Sequence, residues 1–516
     1  MLDESLFSKA GEFKAKIESL KQLLKKESDL HKHYKSETDR LNEVIRLLKK
    51  QAFGPKSERW ESEEQYRLFN EAESEAKKPD PPEEEASEVK PHKRKRGKRQ
   101  PLPGNLEREV VVIDLPEEEK VDEDGKPLKV IGKLVSEKLT YEPAKVTVTE
   151  YQRLRYGKDA GEPVKTAPPV PMIIPKGIVT PSLLAGIITA KYADGLPLYR
   201  QEEIFKRHDI LVSRSSMGRW ILRAGEACRP IWNILEERLM AKQYVACDET
   251  HTQVLKERGR KAQSKSWMWV RCNPSDLETI VLFNYDPRRS KDVARDLFEG
   301  FKGYLQVDGF ASYDVLEKND GLVRIGCNMH GRRKFHEALT LGAKQGKTLA
   351  EEALKFYQML YAAEEEYKKE LIDFDERHKR RQEEAVPIWD EFGGWAKEKQ
   401  RLVPPKSKIG QAFTYFTNQY DELRGYLKAG FLEPDNGLVE RQIKYFAMGR
   451  KAWLFSDSES GAEASELFYS LVVTAKANGV NPFKALKEIF TEIPKATSIE
   501  DFERLANLLL GPTTRL

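Results

Sequence analysis

The sequence predicts a multidomain α/β protein, and three observations lead to that prediction. The chain has 516 residues, more than one hydrophobic core usually organises, since domains hold about 100–200 residues. Short apolar runs between 243 and 330 are typical of strands, and a helical segment separates the third run from the fourth, as in a mixed sheet. The flanking regions carry the spacing of helices.

Composition excludes two classes of protein. The longest purely apolar runs hold only a handful of residues, such as 110–113, whereas a bilayer span needs about 20, so we expect no membrane protein. The first residues carry acids and no apolar stretch of the kind found in secretory signals. The cysteines are too dispersed for a disulfide framework, which indicates a reduced cytoplasmic protein. They are Cys228, Cys247, Cys272 and Cys327.

A seam of positions spaced alternately four and three residues apart runs through the first fifty residues. Its members are Phe13, Ile17, Leu20, Leu24, Glu27, His31, Tyr34, Thr38, Leu41, Ile45 and Leu48. This repeat keeps one face of a helix toward a partner, so 1–60 is predicted to form a coiled coil that makes a dimer or higher homo-oligomer. The alternative is a lone surface helix packed on its own protein.

Charge is segregated over 61–104. Residues 61–90 hold eleven acids against four bases, and 93–99 read KRKRGKR, with six of seven basic. Little in this stretch could bury a face, which predicts a flexible acidic, then basic, linker. Arg94 and Arg96 are candidates for nucleic-acid contact, because such a block concentrates positive potential. A solvated linker that ends in a basic tag is the alternative.

Strand signals then predict a small β-rich module over 105–165. The candidate strands are 110–115, 130–134 and 145–151, and the alternation in KVTVTEY is the clearest period of two in the chain. A proline-rich connector follows the module.

The next region, 166–242, is predicted to be helical and to contain a possible helix-turn-helix. Ser213 is well placed to cap the second helix. Arg214 and Arg219 would then face outward at its start, as side chains that read a DNA groove must. A plain helical hairpin in the core gives the same pattern.

Residues 243–460 are predicted to form an α/β domain with a long helical insertion at about 336–430, and 461–516 a C-terminal helical region. The predicted strands are 244–247, 267–272, 279–285, 304–307 and 323–327, with a helix at about 290–300.

Two aspartates each follow one of these apolar strands. Asp248 comes directly after YVAC and is expected to open a turn, as Asp308 does after YLQV. If the strands are neighbours, the carboxylates converge. They would repel each other unless a divalent cation lay between them, and oxygen ligands suit Mg²⁺ or Mn²⁺ rather than zinc.

Glu440 is the third candidate acid. Asp435 or Asn436 can cap a helix that carries Glu440 in its first turn and an apolar face behind it. Together the three carboxylates could hold two metals about 4 Å apart, suited to in-line phosphoryl displacement. The alternative is that strand-end aspartates cap turns and that Glu440 pairs with Lys444 along its helix.

Several motifs together resemble one protein family. They are AFGPKSER, KYADGLPLYRQEEIF, YVACDETHTQVL, YLQVDGFASYDVL with CNMHGRRKF, and NGLVERQIKYFAMGRKAWLF with the residues that follow it. In this order, from about 50 to 485 with an interruption at the β-rich module, they resemble transposases of the insertion sequence 66 family.

This resemblance implies an RNase H-like catalytic domain with an Asp-Asp-Glu triad. Asp248 stands at the first Asp, Asp308 at the second and Glu440 at the Glu, with two Mg²⁺ or Mn²⁺ ions as cofactors. It implies a bacterial, nucleoid-associated transposase that binds terminal inverted repeats, cleaves 3′ ends and joins them to target DNA, with possible accessory proteins of the same element. The rivals are an RNase H-like nuclease that does not join, and a domesticated DNA-binding protein.

Members of that family usually carry a cysteine-rich zinc element before the catalytic region. Here VDEDGKPL and RYGKDAGEP stand where its cysteine pairs are expected, so we expect no zinc, which needs four N or S ligands. Cys327 and His330 are interpreted as a packed cysteine and a histidine near the active cleft.

Two basic clusters are candidate DNA contacts beside the predicted site. One comprises Arg332, Arg333 and Lys334, and the other Arg450 and Lys451 with Trp453. Basic and aromatic side chains suit a phosphate backbone and unstacked bases, although core packing is an equal interpretation of the aromatic residues.

Overall fold

The structure is a computed structural model that describes residues 146–153, 155–156, 165–166, 168–175, 177–274, 278–318, 321–339 and 348–511, with 21, 25–29, 31, 34 and 38. The chain divides into two compact units, 56–169 and the remainder. Within the predicted coiled coil the described positions are helical and exposed, and the rest of the seam lies outside the described residues. So do the predicted linker and its Arg94 and Arg96.

In the 56–169 unit, the described strands are β1 (Arg155–Tyr156) and β2 (Lys165–Thr166), which pair antiparallel. The predicted strand over 145–151 is wrong for 146–151, which form no strand. Alternation makes a strand only where one face is covered, and Val148 is 97% exposed. The predicted strands 110–115 and 130–134 lie outside the described residues.

In the part of the larger unit that follows residue 169, the first helices are α1 (Pro181–Tyr192), α2 (Leu198–Lys206) and α3 (Arg214–Met240). Ser213 caps α3 as predicted, since its hydroxyl accepts a hydrogen bond from the Ser216 N–H at 3.2 Å. Met217, Trp220 and Ile221 are buried behind this cap. The start of α3 is thus fixed with its polar residues outward.

A mixed sheet follows, as predicted. Its strands are β3 (Tyr244–Lys256), β4 (Lys265–Cys272), β5 (Val281–Asp286), β6 (Gly303–Gln306) and β7 (Leu322–Ile325), with α4 (Lys291–Leu297) between β5 and β6. The order is β5-β4-β3-β6-β7, with β4 antiparallel to both its neighbours and β6 and β7 parallel to β3. A short strand that the sequence did not predict, β8 (Ser456–Ser458), pairs with the far end of β3.

The turn predicted at Asp248 is wrong, because β3 continues through it to Lys256. Pairing with β6 stops at Ala246, whereas pairing with β4 continues as far as Gln253. Thr252 and Val254 are buried, so the alternation of buried residues continues beyond the predicted end of this strand. Asp248 therefore lies inside a long strand, at the point where one of its neighbours ends.

The predicted insertion is helical where described, and its helices are α5 (Asn328–Ala338), α6 (Leu349–Glu370), α7 (Phe374–Arg380), α8 (Val386–Gln400), α9 (Lys408–Asn418) and α10 (Tyr420–Leu423). These helices surround an aromatic core of their own. Phe392 stacks on Phe356 with ring centroids 4.6 Å apart and contacts Phe416 at 4.2 Å.

Buried Arg381 ties this insertion to the segment that leads into the next helix. Its guanidinium donates to both carboxylate oxygens of Glu364, at 2.7 and 2.8 Å. It also donates to the carbonyls of Tyr426, Ala429 and Leu432 at 3.0, 2.7 and 2.9 Å. Because a buried charge must be fully paired, this arginine fixes the path of 426–432.

Helix α11 (Gly437–Trp453) carries Glu440, and the predicted C-terminal helical region comprises α12 (Glu459–Ala477), α13 (Pro482–Glu492) and α14 (Ile499–Leu510). No helix in the described ranges is long and apolar enough to cross a membrane. The four cysteines are buried free thiols.

Helix α12 covers the edge strand β5 through a ladder of polar side chains. The ladder is made of Glu466, Ser470, Thr474 and Asn478. They accept hydrogen bonds at 2.8–3.0 Å from the N–H groups of Tyr285, Phe283, Val281 and Thr279 respectively. Four helical residues rise about 6 Å and two strand residues about 6.7 Å, so the two periods match closely.

We predict that Thr474→Val destabilises the protein by about 1–3 kcal/mol, because it leaves the buried N–H and C=O of Val281 unpaired. Thr491→Val on α13 is the matched control. It removes only an exposed bond to the Lys487 carbonyl and should change stability by less than about 0.5 kcal/mol. Urea denaturation measures both, and equal losses would show that the ladder adds nothing.

Candidate active site

The parallel register of β3 and β6 sets the two candidate aspartates side by side. Their last pair is Ala246 with Gln306, and each aspartate lies two residues further along its chain. Asp308 Oδ1 accepts from the N–H of Phe310 at 3.0 Å, which closes the turn after β6. Asp248 Oδ1 accepts from the N–H of Glu249 at 2.8 Å.

The electrostatics of Asp248 indicate that several acids converge on it. Burial raises the pKa of its carboxyl well above the usual value, and the negative charges of Glu249, Asp308 and Glu440 raise it further. The charged form of this carboxyl is therefore disfavoured unless a positive charge lies nearby. The charges of Asp308 and Glu440 therefore both act on the Asp248 carboxyl.

Glu440 lies in the first turn of α11. Its Oε1 is buried and has no hydrogen-bond partner among the described residues, with His330 Nδ1 3.9 Å away. The guanidinium of Arg333 lies 3.8 Å from Oε2. A buried carboxylate oxygen without a donor is costly, and it is the kind of atom that a cation satisfies.

Buried amides fix the segment before α11 to the sheet. Gln306 Nε2 donates to the Glu433 carbonyl at 2.9 Å, and Asn328 Nδ2 donates to the Pro434 carbonyl at 2.9 Å. Asn328 also donates to the Leu423 carbonyl at 2.9 Å, which joins this segment to the insertion. Gln306 ends β6 and Asn328 begins α5, so both anchors lie at the same sheet edge as the aspartates.

Asn436 connects this segment to the strand of Asp248. Its Nδ2 donates to the carbonyl of Cys247 at 2.9 Å, and its backbone N–H lies 3.3 Å from Cys327 Sγ. The sequence had suggested Asn436 or Asp435 as the cap of α11. The structure gives the first helical N–H, that of Gly437, to Asp435 Oδ1 at 2.8 Å, while Asn436 bridges to the sheet.

The donor set suits a hard divalent cation. Among the described residues, the group of three ligand-type side chains within 4.8 Å of one another is Cys327, His330 and Glu440, so the three acids are spaced more widely than that. Burial raises the pKa of the Cys327 thiol to about 12, which makes it a poor ligand. Asp248, Asp308 and Glu440 are the side chains that would hold divalent ions here.

A second network, which was not predicted from the sequence, surrounds Glu249, the residue next to Asp248. Buried Glu249 forms an ion pair with Arg289 and accepts a hydrogen bond from the Tyr313 hydroxyl at 2.6 Å. The Arg289 guanidinium lies 3.5 Å from the ring centroid of Phe310, in the turn after Asp308. The sequence signal for this network was the acid that directly follows Asp248 in DET, because a second buried acid in the same strand needs a partner of its own.

Several predicted DNA contacts are placed at the surface. Arg332, Arg333 and Lys334 are exposed on α5 close to Glu440, and Lys451 is exposed near the end of α11. Arg214 and Arg219 are exposed at the start of α3, as expected of side chains that meet a ligand.

Arg450 and Trp453, also predicted to contact DNA, both make contacts within the protein. The Arg450 guanidinium donates to Thr250 Oγ1 at 3.1 Å and to the carbonyl of His251. Trp453 packs on Phe446 with ring centroids 5.5 Å apart. The packing of Trp453 agrees with the core-packing interpretation, and Arg450 links α11 to β3.

Three family models match the chain. Residues 176–464 match the family described as "Transposase IS66 family", 470–506 match "IS66 C-terminal element", and 40–111 match "Transposase C of IS166 homeodomain". The chain is also similar to uncharacterised proteins of Sinorhizobium fredii. It is 32% identical to y4qI, over 79% of this chain and 77% of that protein. It is 28% identical to y4jD, over 78% of this chain and 80% of that protein.

We predict that Asp248→Asn raises the thermal stability of the metal-free protein near neutral pH, because a neutral amide replaces a buried carboxyl whose charged form is disfavoured by the charges of Glu249, Asp308 and Glu440. Added Mg²⁺ or Mn²⁺ should raise the melting temperature of the wild type more than that of this variant. The control is Asp296→Asn, at an exposed position on α4, which should leave both measurements unchanged. An equal metal-induced shift in all three proteins would argue against a metal site here.

Proposed function

The chain belongs to the IS66 transposase family, and from that premise we propose that it binds the terminal inverted repeats of its element, cleaves their 3′ ends and joins them to target DNA. Mg²⁺ or Mn²⁺ would be the cofactor, with two ions in each site. The same site would serve both steps, with water as the nucleophile in cleavage and the 3′ hydroxyl in joining.

The observation that carries this proposal is that the carboxylates of Asp308 and Glu440 both act on the buried carboxyl of Asp248. Asp248, Asp308 and Glu440 would hold the metals, and the unpartnered Oε1 of Glu440 supports a cation there. When bound, the two ions activate the attacking oxygen and stabilise the leaving one. The chain itself contributes the burial of Asp248, which keeps bulk water from screening the charges.

The surface around the acids supports DNA as the substrate. The exposed basic residues of α5 follow each other directly, and Arg333 lies within 3.8 Å of Glu440, so a phosphate held by this cluster would lie near the acids. Arg214 and Arg219 at the start of α3 would contact DNA separately from that site.

We propose an RNase H-like fold for the catalytic domain. The strand order β5-β4-β3-β6-β7, with three antiparallel strands followed by two parallel to β3, supports it. We also propose that the N-terminal seam joins protomers so that two DNA ends can be paired, that accessory proteins of the same element take part, and that the protein works in the cytoplasm on the nucleoid.

The test compares Glu440→Gln with Glu463→Gln, an exposed position on α12. Glu440→Gln should slow Mg²⁺- or Mn²⁺-dependent cleavage of end-containing DNA by about 10³-fold or more, equivalent to about 4 kcal/mol, and leave DNA binding largely intact. Asp248→Ala should behave in the same way, and Glu463→Gln should match the wild type.

Cleavage and joining are scored on labelled ends in one reaction, and binding by gel shift. Wild-type cleavage without joined products would favour the nuclease rival, and binding without cleavage would favour a domesticated DNA-binding protein. Retained cleavage in Glu440→Gln would show that the triad is wrong.

A further inference from the structure

A polar groove adjoins the turn after Asp308, and no residue of the proposed triad lines it. Its volume is about 310 Å³. On one side lies Gly309, and on the other lies one face of α9 with the segment next to it. The side chains that line it are those of Pro405, Gln411, Thr414, Tyr415, Asn418 and Gln419.

The spacing of these residues gives α9 one buried apolar face and one polar face without charged side chains. Positions 411, 414, 415 and 418 form one helical stripe, while Ile409, Ala412, Phe413 and Phe416 are buried on the opposite face. The exposed stripe carries amides, hydroxyls and one aromatic ring, and no charged side chain. The insertion therefore presents hydrogen-bonding groups, and not simply a charged solvated surface, to the edge of the proposed site.

Close contact couples the groove to Asp308. A Cβ atom at Gly309 would lie 2.7 Å from the Tyr415 ring and 3.1 Å from the amide carbon of Gln419. Only glycine lets the turn approach α9 this closely, so the groove begins one residue from a candidate metal ligand. The ammonium of Lys334 lies 5.8 Å from the Tyr415 ring centroid, which places a cation beside the same wall.

The size and chemistry of the groove select its ligand. A volume of about 310 Å³ lies at the lower end of the range for small-molecule pockets and is far too small for a duplex. Asn and Gln amides offer the paired donor and acceptor that read a base edge, and an aromatic ring offers a surface for a base. A neighbouring cation suits the phosphate attached to that base.

We propose that this groove holds a single base that leaves the duplex beside the scissile phosphate. The inference rests on the proposed function and adds to it a binding site for an unpaired nucleotide. Extruding the base would free the adjacent backbone to approach Asp308 and Glu440, at the expense of one stacking interaction.

The test uses end-containing DNA with 2-aminopurine at successive positions around the cleavage site, and the full-length protein without divalent metal. The fluorescence of this base rises when it unstacks. We expect one position next to the scissile phosphate to brighten on binding. The double variant Gln411→Ala with Asn418→Ala, at two exposed residues, should reduce that signal. Asn233→Ala, an exposed amide on α3, is the control and should leave it unchanged.

With metal present, the double variant should cleave native ends about tenfold more slowly, equivalent to about 1.4 kcal/mol. On ends that carry an abasic residue at the bright position, the double variant and the wild type should cleave at the same rate, because no base remains to be held.

The outcomes separate the two proposals. If the wild type binds and cleaves native ends while no position brightens, or if the double variant brightens and cleaves like the wild type, the groove inference is wrong and the proposed function stands. If the wild type neither binds nor cleaves such ends, the proposed function fails and the groove inference fails with it.

Discussion

The proposed site depends on how the segment 432–436 is held at the sheet edge. This segment brings in Glu440 from a part of the chain far from the two aspartates. Gln306, Asn328 and Asn436 are almost fully buried, and their amides bond to backbone carbonyls of that segment and of β3. A buried carbonyl that loses its donor costs about 1–3 kcal/mol, so three such bonds leave the start of α11 little freedom.

The helical insertion holds the same segment from the other side. Arg381 joins Glu364 of α6 to the carbonyls of 426–432, and Arg377 of α7 donates to Glu433 at 3.1 Å. The insertion therefore does more than add surface, because its ion pairs determine where α11 starts. It also supplies α9, so one structural element supports the acid that completes the site and forms a wall of the neighbouring groove.

The sequence predicted the features that depend on residues close together along the chain. Apolar runs gave the five main strands, and the residues after two of them gave Asp248 and Asp308, although the triad itself stays a prediction. Contacts between residues far apart along the chain could not be predicted from the sequence. The continuation of β3 depends on its pairing with β4. The failure of 146–151 to form a strand depends on the exposure of that segment. The internal contacts of Arg450 depend on the position of β3. Asn436 was predicted as a helix cap because nothing in the sequence indicates that Cys247 lies beside it.

The ladder on α12 also limits which surfaces of the protein are available for self-association. An edge strand normally offers unpaired N–H and C=O groups to any chain that arrives, and here a helix already occupies them along β5. Sheet extension across this border is closed, so self-association must use other surfaces. A product truncated before 459 would lose the cover and expose β5 as a template, and such a fragment is a candidate for aggregation rather than for a smaller working protein.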